Sequence, residues 1–173
     1  LGQLLGFVRH RSPRRVRSDL VPVIERARAA AGARLDGVAF HAPRGGLPHV
    51  HCDPDQMEQV FLNLFLNAAD AMRGRGELRV RAGASATQFW VRVEDDGPGV
   101  PADHRHKVFE SFFTTRPAGV GLGLPVCLRI MSDHHGSIAI EDREGGGASI
   151  RLSLPLGAPA AGARRSSWSE ERT

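Results

Sequence analysis

The segment from Asp53 to Met72 constrains this chain more than any other. Asp53-Pro54-Asp55-Gln56 is a helix start. Asp53 can accept from exposed backbone N–H groups, Pro54 suits the first helical position, and Gln56 completes a capping-box-like pattern. From Val60 the helix is apolar nearly all round (Val60, Phe61, Leu62, Leu64, Phe65, Leu66, Ala68, Ala69, Ala71, Met72), so burial is expected. Gly74 and Gly76 follow its end. Asn63, Asn67 and Asp70 interrupt the apolar run at i, i+4 and i+7, which places them on one stripe. An unpaired amide on a buried helix costs about 1–3 kcal/mol, so the stripe needs partners. Hydrogen bonds to a neighbouring strand would supply them, and so would a polar ligand walled by the stripe. The helix alone does not decide between these accounts.

At 173 residues the chain has the length of one domain with a sizeable core. Its apolar fraction of 41% and charged fraction of 24% are those of an ordinary globular protein, which makes a disordered or membrane-embedded chain a poor fit. No apolar run reaches the roughly 18 residues a membrane span needs. The opening Leu1–Val8, without an initiator Met, reads as the end of an amphipathic helix continuing from a longer protein. Residues 1–17 are expected to be that helix end and a connector, 18–156 a globular domain, and 157–173 a disordered tail.

Within the domain, Asp19 caps an expected helix through about Arg34, with Leu20, Val23, Ile24, Ala27, Ala31 and Leu35 at helical spacing. Short strands are expected at Val38–His41 and Pro48–Cys52 around the Gly45-Gly46 turn, then at Leu78–Ala82 and Phe89–Glu94. A helical turn near Asp103–Val108 and a helix from about Gly121 to Ser132 follow. Strands Ser137–Ile140 and Ala148–Leu154 close the sheet. This order predicts an α/β sandwich with helices on one face of a mixed sheet.

The net charge of +4 and the cluster Arg9, Arg11, Arg14, Arg15 and Arg17 invite a nucleic-acid reading. Almost all the basic charge is arginine, with Lys107 the lone lysine, which points to a GC-rich coding bias. No aromatic residues interleave the arginines to stack bases, so a solvated connector face is the preferred account. Cys52 and Cys127 lack metal-binding spacing and read as free thiols of a reducing cytosol.

Two glycine loops carry further polar chemistry. Asp95-Asp96-Gly97-Pro98-Gly99 follows directly on a strand, where Asp95 can point into a pocket and accept from an exocyclic amine such as adenine N6. An ordinary acidic turn would look the same. Gly119-Val120-Gly121-Leu122-Gly123 leads into a helix N-terminus, a natural phosphate site, yet it is neither a Walker A nor a Rossmann pattern. Between them, Val108-Phe109-Glu110-Ser111-Phe112-Phe113-Thr114-Thr115-Arg116 looks like a lid. Its aromatics would anchor the lid, and Thr114, Thr115 and Arg116 could meet phosphate oxygens.

In this order the segments resemble the four boxes of the histidine kinase catalytic domain. Asn63–Met72 resembles the N box, Asp95–Gly99 the G1 box, Phe109–Arg116 the F box and Gly119–Leu124 the G2 box. The Asn-Ala-Ala-Asp-Ala-Met and Phe-Phe-Thr-Thr-Arg wording is most similar to nitrogen-regulation and dicarboxylate-sensing kinases. The resemblance implies a Bergerat fold: an α+β two-layer sandwich, with about five strands in a mixed sheet, three main helices on one face and a flexible ATP lid. It implies ATP and Mg²⁺ as ligands. Asn67 would hold Mg²⁺ with Asn63 in support, Asp95 would read adenine, and Gly97 and Gly99 would shape its pocket. Gly119, Gly121 and Gly123 would wrap the phosphates. Asp70, Phe109, Thr114, Thr115, Leu122 and Leu124 complete the expected ATP site. Arg116 stands where the family often has Lys, keeping a charge near the γ-phosphate but with fork geometry. Val120 stands where Thr or Ser is common, and His135-Gly136 where Gly-Gly is usual. His134 reads as structural and His135 as a surface residue.

Phosphoryl transfer needs in-line positioning and charge neutralisation more than covalent help. Related gyrase-type ATPases carry Glu one turn before the metal asparagine, and here that place is Asn63. The resemblance therefore implies transfer to a strong nucleophile, an imidazole, rather than efficient hydrolysis. No histidine here has the His-Glu-x-x-Asn/Arg-Pro context of an acceptor. The expectation is a domain that binds Mg-ATP but does not phosphorylate itself. Its partners would be the dimerisation and phosphoacceptor domain of the same kinase, a homodimer in the full protein, and a response regulator receiver domain. Neither nucleic acid nor a membrane would be a partner of this piece. Its expected location is the cytoplasm, free or as the cytoplasmic part of an anchored sensor. An anti-sigma-factor serine kinase, or a non-catalytic nucleotide-binding module, are the alternatives.

Overall fold

The computed structural model describes residues 12–114, 119–143 and 145–156. The described elements run β1 Val16–Ser18, α1 Leu20–Ala31, β2 Val38–His41, β3 Val50–Cys52, α2 Pro54–Ala71, β4 Gly76–Ala84 and β5 Gln88–Asp95. They continue with α3 Gly123–Asp133, β6 Ser137–Glu141 and β7 Ala148–Pro155. Tight 3₁₀ turns occupy Gly32–Leu35, Ala102–His104 and Lys107–Phe109. The expected helix end at Leu1–Val8 and the expected tail from 157 lie outside the described residues.

Five strands form one sheet in the order β2-β4-β5-β7-β6. β2 runs parallel to β4 and the other pairs are antiparallel, so the sheet is mixed as expected. Alternation on β5 shows which side is covered. Phe89, Val91, Val93 and Asp95 are buried, whereas the residues between them are not. The buried face packs against the helices: Phe40 of β2 meets Phe65 of α2 edge-on, with ring centroids 5.2 Å apart. Phe61, Phe65, Phe89, Met57 and Leu78 at the centre are fully buried. Each such side chain contributes about 1.5–3 kcal/mol. The result is the two-layer α+β sandwich that the resemblance implies, with a mixed sheet as the order of elements also predicts.

Three local expectations need correction. The first helix stops at Ala31, not Arg34, because Gly32 takes a φ of 51° and turns its N–H back to the Arg28 and Ala29 carbonyls. The chain then tightens into a 3₁₀ turn that still buries Leu35. Val16–Ser18 was not expected as a strand, yet it pairs antiparallel with β3 (Val16 opposite Cys52, Ser18 opposite Val50) in a small second sheet. Finally, α2 is not buried all round. Leu62, Asn63, Leu66, Asn67 and Asp70 are half-buried, so the helix opens on the side that carries its polar stripe.

The entry to α2 is a buried polar junction. Asp53 is 1% exposed, and its side chain accepts from the backbone N–H groups of Asp55, Gln56 and Arg14. Its own N–H donates to His134 Nε2 at 2.9 Å, while His134 Nδ1 lies 2.7 Å from the Ile130 carbonyl. That geometry requires the neutral ring with its proton on Nδ1. His134 is therefore structural, as expected. Burial lowers its pKa, outweighing the hydrogen bond to Ile130. The unfolded chain takes up the proton below about pH 6.5 while the folded chain resists it. Stability from this group is thus full above that pH and is lost as pH falls toward the folded pKa. His134→Leu should cost about 1–3 kcal/mol by urea unfolding at pH 7.5. The gap between variant and wild type should narrow from pH 6.5 to 5; a constant gap would refute the neutral-ring assignment.

His135 is exposed, also as expected, and completes the helix stop. Its N–H bonds to Ser132 O and that of Gly136 to Met131 O, a Schellman motif. The motif demands the left-handed region, and His135 adopts a φ of 56°. A side chain there costs about 1–2 kcal/mol. His135→Gly should therefore raise the melting temperature by several degrees in calorimetry.

Candidate functional site

The polar stripe of α2 faces the start of α3. Asn63 Nδ2 donates to the Gly123 carbonyl at 3.4 Å. A Cβ placed on Gly123 would lie 3.5 Å from Asn67 Nδ2 and 4.0 Å from Asn63 Cβ, so the last loop glycine rests on both amides. α3 begins there, and its N-cap Leu122 provides no side-chain cap. The N-cap residue thus brings no acceptor of its own to the positive end of the helix, a place that suits an anion. Beneath the stripe, Cys127 donates weakly to the Val60 carbonyl, and burial pushes its thiol up to about 12. It is a packing group, not a nucleophile. Further along the stripe, the Asp70 carboxylate pairs with Arg34 from the 3₁₀ turn after α1.

Asp95 ends β5 with 7% exposure, and its Oδ1 accepts from the Gly97 N–H at 2.8 Å. Burial raises its pKa against the opposing hydrogen bonds from Gly97 and Ala148 and the charge of Arg143. A Cβ on Gly97 would come within 2.7 Å of Asp95 Oδ1 and 3.1 Å of Ala71 Cβ. The absence of that atom lets the loop seat the carboxylate against the end of α2. Gly99 takes a φ of 78°, and its Cβ position is 2.7 Å from the Gly147 carbonyl. The neighbouring Asp96 binds Arg143, which lowers its pKa.

The intervening segment is pinched at its base. Phe112 N–H donates to the Gly121 carbonyl at 2.9 Å. Gly121 has a φ of 69°, with its Cβ position 2.5 Å from the Phe113 carbonyl, so glycine is required at this neck. Phe109 packs against the core, and Phe113 meets His104 edge-on at 5.4 Å. Leu122 is buried, Leu124 packs on the core, and Thr114, Gly119 and Val120 are exposed. Thr115 and Arg116 lie outside the described residues. A groove of roughly 440 Å³ along α3 is lined by Phe109, Val126 and Leu128 but by none of Asn63, Asn67 and Asp95.

The structure thus brings Asn63, Asn67 and Gly123 together, and holds Asp95, Gly97 and Gly99 at the sheet end beside α2. Sequence reasoning missed Arg34, Arg143 and Gly147. The Gly145-Gly146-Gly147 run was the available signal for the last two. Among the described residues no group of three or more His, Cys, Asp or Glu forms a metal site. No described helix is long and apolar enough to cross a membrane.

Residues 52–158 match the family described as histidine kinase-, DNA gyrase B- and HSP90-like ATPase. The chain belongs to this ATPase family. Its ATP-binding domain is of the type found in sensor histidine kinases. It is 36% identical to the sensory histidine kinase/phosphatase NtrB of Rhodobacter capsulatus, over 90% of this chain and 48% of NtrB. Across the curated relatives it matches, the chain spans about half of their length or less. It superposes on a mycobacterial sensor histidine kinase, MprB, with a TM-score of 0.73 and 28% identity, over 82% of this chain and 97% of that one. Histidine kinase ThkA, in complex with the response regulator protein TrrA, matches with a TM-score of 0.75 and 25% identity, over 90% of this chain and 46% of ThkA.

For this ATPase domain the Gly97 contact gives a direct test. Gly97→Ala should displace the Asp95 carboxylate and weaken ADP binding about tenfold by calorimetric titration. The far-ultraviolet circular dichroism should stay that of the wild type. Unchanged affinity would show that Asp95 has room to spare.

Proposed function

We propose that the chain is the phosphoryl-donor half of a sensor histidine kinase: it binds Mg-ATP in the cleft between α2 and the two glycine loops and passes the γ-phosphoryl group to a histidine on another domain of the same kinase. The contact of Gly123 with Asn63 and Asn67 carries this reading. The start of α3, where helical N–H groups lack intrahelical partners, thus lies beside the two amides, a combination that would suit a polyphosphate.

Within that site the Asn67 amide oxygen would hold Mg²⁺, with Asn63 supporting it. A neutral amide fits an ion whose other ligands are phosphate oxygens and water, and the described residues offer no carboxylate cage that would hold it alone. When bound, the ion neutralises phosphate charge. The chain's own residues do the rest. Asp95 accepts from adenine N6, Gly97 and Gly99 shape the adenine pocket, and Gly119, Gly121 and Gly123 follow the phosphates with Leu122 and Leu124 as their apolar footing. Thr114, Thr115 and Arg116 would meet phosphate oxygens, with the guanidinium of Arg116 suited to the γ-phosphate. Phe109 anchors the lid. Asp70, paired with Arg34, borders the cleft at the far end of the stripe. Asn63 cannot serve as a general base, so water in the site is not activated and a nucleophilic imidazole from outside is the acceptor.

The full kinase would act as a homodimer through its phosphoacceptor domain and pass the group on to a response regulator receiver domain, in the cytoplasm. Residues 1–17 would form the link to the acceptor, 18–156 the donor domain and 157–173 a tail. With γ-labelled ATP, the chain alone should acquire no acid-labile label, and adding the cognate acceptor domain should yield phosphohistidine. Asn67→Ala should reduce that yield and the Mg-dependent nucleotide affinity about 10- to 100-fold. Phosphoserine on a partner would move the chain to the serine kinases. Acid-labile label on the isolated chain would remove the need for an external acceptor.

A further inference from the structure

The hairpin between β6 and β7 reaches across to the first glycine loop. Arg143 is 15% exposed in its side chain, and each of its terminal nitrogens is engaged. Nη1 donates to the Asp95 carbonyl and, at 2.9 Å, to the Gly146 carbonyl. Nη2 donates to Asp96 Oδ1 at 2.6 Å. One planar guanidinium therefore binds the backbone of Asp95, the side chain of Asp96 and its own hairpin.

The position explains the need. Asp95 and Ala148 are the last pair of the β5–β7 ladder, and Leu78 opposite Asp95 is an end residue of the β4–β5 register. Beyond them no strand continues to fix the chain. Gly147, at a φ of 88°, brings the hairpin so close that a Cβ would collide with the Asp95 carbonyl and Arg143 Nη1. Gly99 then packs its own Cα against the Gly147 carbonyl. The guanidinium acts as a substitute for the missing ladder at the point where a carboxylate must keep a fixed direction. Arg is suited to this because its donors lie in a rigid plane, whereas a Lys ammonium would bridge the same groups only loosely.

We propose that Arg143 is a positioning residue for base selection: by holding the Asp95 carbonyl and the Asp96 carboxylate together, it fixes the Asp95 side chain in the one orientation that accepts from adenine N6. This rests on the assignment of Asp95 as the adenine reader. In that orientation a guanine presents its O6 to the carboxylate, an acceptor facing an acceptor, and is rejected. A carboxylate free to turn can instead accept from guanine N1–H and N2–H. Buried hydrogen-bonding groups discriminate strongly only while their geometry is fixed. The charge of Arg143 also opposes the effect of burial on Asp95, favouring its ionised, acceptor-only form.

The test is titration of this chain with Mg-ADP and Mg-GDP, using wild type, Arg143→Met, Arg143→Lys, Asp96→Asn and Asp95→Asn, with thermal unfolding of each without nucleotide. Arg143→Met should lower the ADP-to-GDP affinity ratio about tenfold. Arg143→Lys and Asp96→Asn should lie between it and wild type. A parallel loss for both nucleotides with the ratio unchanged would make Arg143 merely structural and overturn the proposal. If Arg143→Met is unfolded, Asp96→Asn decides, since Asp96 is 40% exposed in its side chain and the replacement has the same shape, its thermal unfolding serving as the check on folding. An unchanged ratio there is equally fatal. If Asp95→Asn alone collapses the ratio, the adenine reading stands and only the role of Arg143 fails. If Asp95→Asn leaves the ratio as in wild type, the adenine reading itself fails, and the Arg143 proposal with it.

Discussion

Asp53 is the residue on which the arrangement of this domain turns. A carboxylate at 1% exposure is costly unless its lone pairs are filled, and here three backbone N–H groups fill them from two segments. The helix start of α2 supplies the Asp55 and Gln56 N–H groups, and the segment leading into β1 supplies that of Arg14. The Asp53 N–H in turn enters His134, which ends α3. A single residue therefore sets the axial position of α2, the foot of α3 and the path of the entering chain. The consequence is felt several turns away. The other end of α3 begins at Gly123, and with the foot of α3 fixed against α2, Gly123 is carried onto Asn63 and Asn67. The polar cleft is thus a product of a polar junction at the opposite end of the same helix pair.

Along α2 the division between core and cleft follows from where the helix meets its neighbours. Met57, Val60, Phe61, Leu64, Phe65 and Ala68 bury against the sheet and α1, which leaves Leu62, Asn63, Leu66 and Asn67 on a half-open side. On such a half-open surface the amides can also meet a polar ligand or water beside the protein groups they touch, as Asn63 touches the Gly123 carbonyl. The chemistry they offer is restricted, though. An amide donates, accepts and ligates a hard cation, but it does not take a proton at neutral pH. Cys127 beneath them is held as a neutral thiol, so neither the two amides nor this thiol offers a base. That restriction is what supports the proposal that the site orients a polyphosphate without activating water against it.

The arginine content acquires a local explanation on the uncovered side of the sheet. Arg81 pairs with Glu94, Arg92 and Arg151 with Glu141, and Arg79 with Glu77. Arg92 and Arg151 also lie over the Trp90 ring, at 5.5 and 5.7 Å from its centroid. Each exposed pair is worth less than about 1 kcal/mol, but the ladder keeps polar, partly neutralised side chains on a face that would otherwise expose the strands. Arg81, Arg92 and Arg151 are therefore accounted for by pairing between strands and Arg79 by a pair within β4, whereas Arg9 and Arg11 lie outside the described residues.

How far the sequence could be read depended on whether a feature was local. The caps at Asp19 and Asp53, the period of α1 and α2 and the alternation of β5 all act over a few residues, and each was legible. So were Asn63, Asn67 and Asp95, because a polar residue in an apolar helix or at a strand end contradicts its surroundings. The three-residue strand β1 was harder: Val16–Ser18 carries too short a period to show, and its partner β3 lies more than 30 residues away. Asp70 illustrates a different limit, since its spacing placed it on the stripe while its ion pair with Arg34 depends on how α1 ends. Arg143 shows the same limit most sharply. One arginine among many, it is distinguished only by the glycines that follow it, and its meaning comes from the place where two sheet ladders stop. Local pattern identifies the groups a site needs. Their aim is set by contacts between segments distant in sequence, and there the sequence offers a glycine run without saying what it approaches.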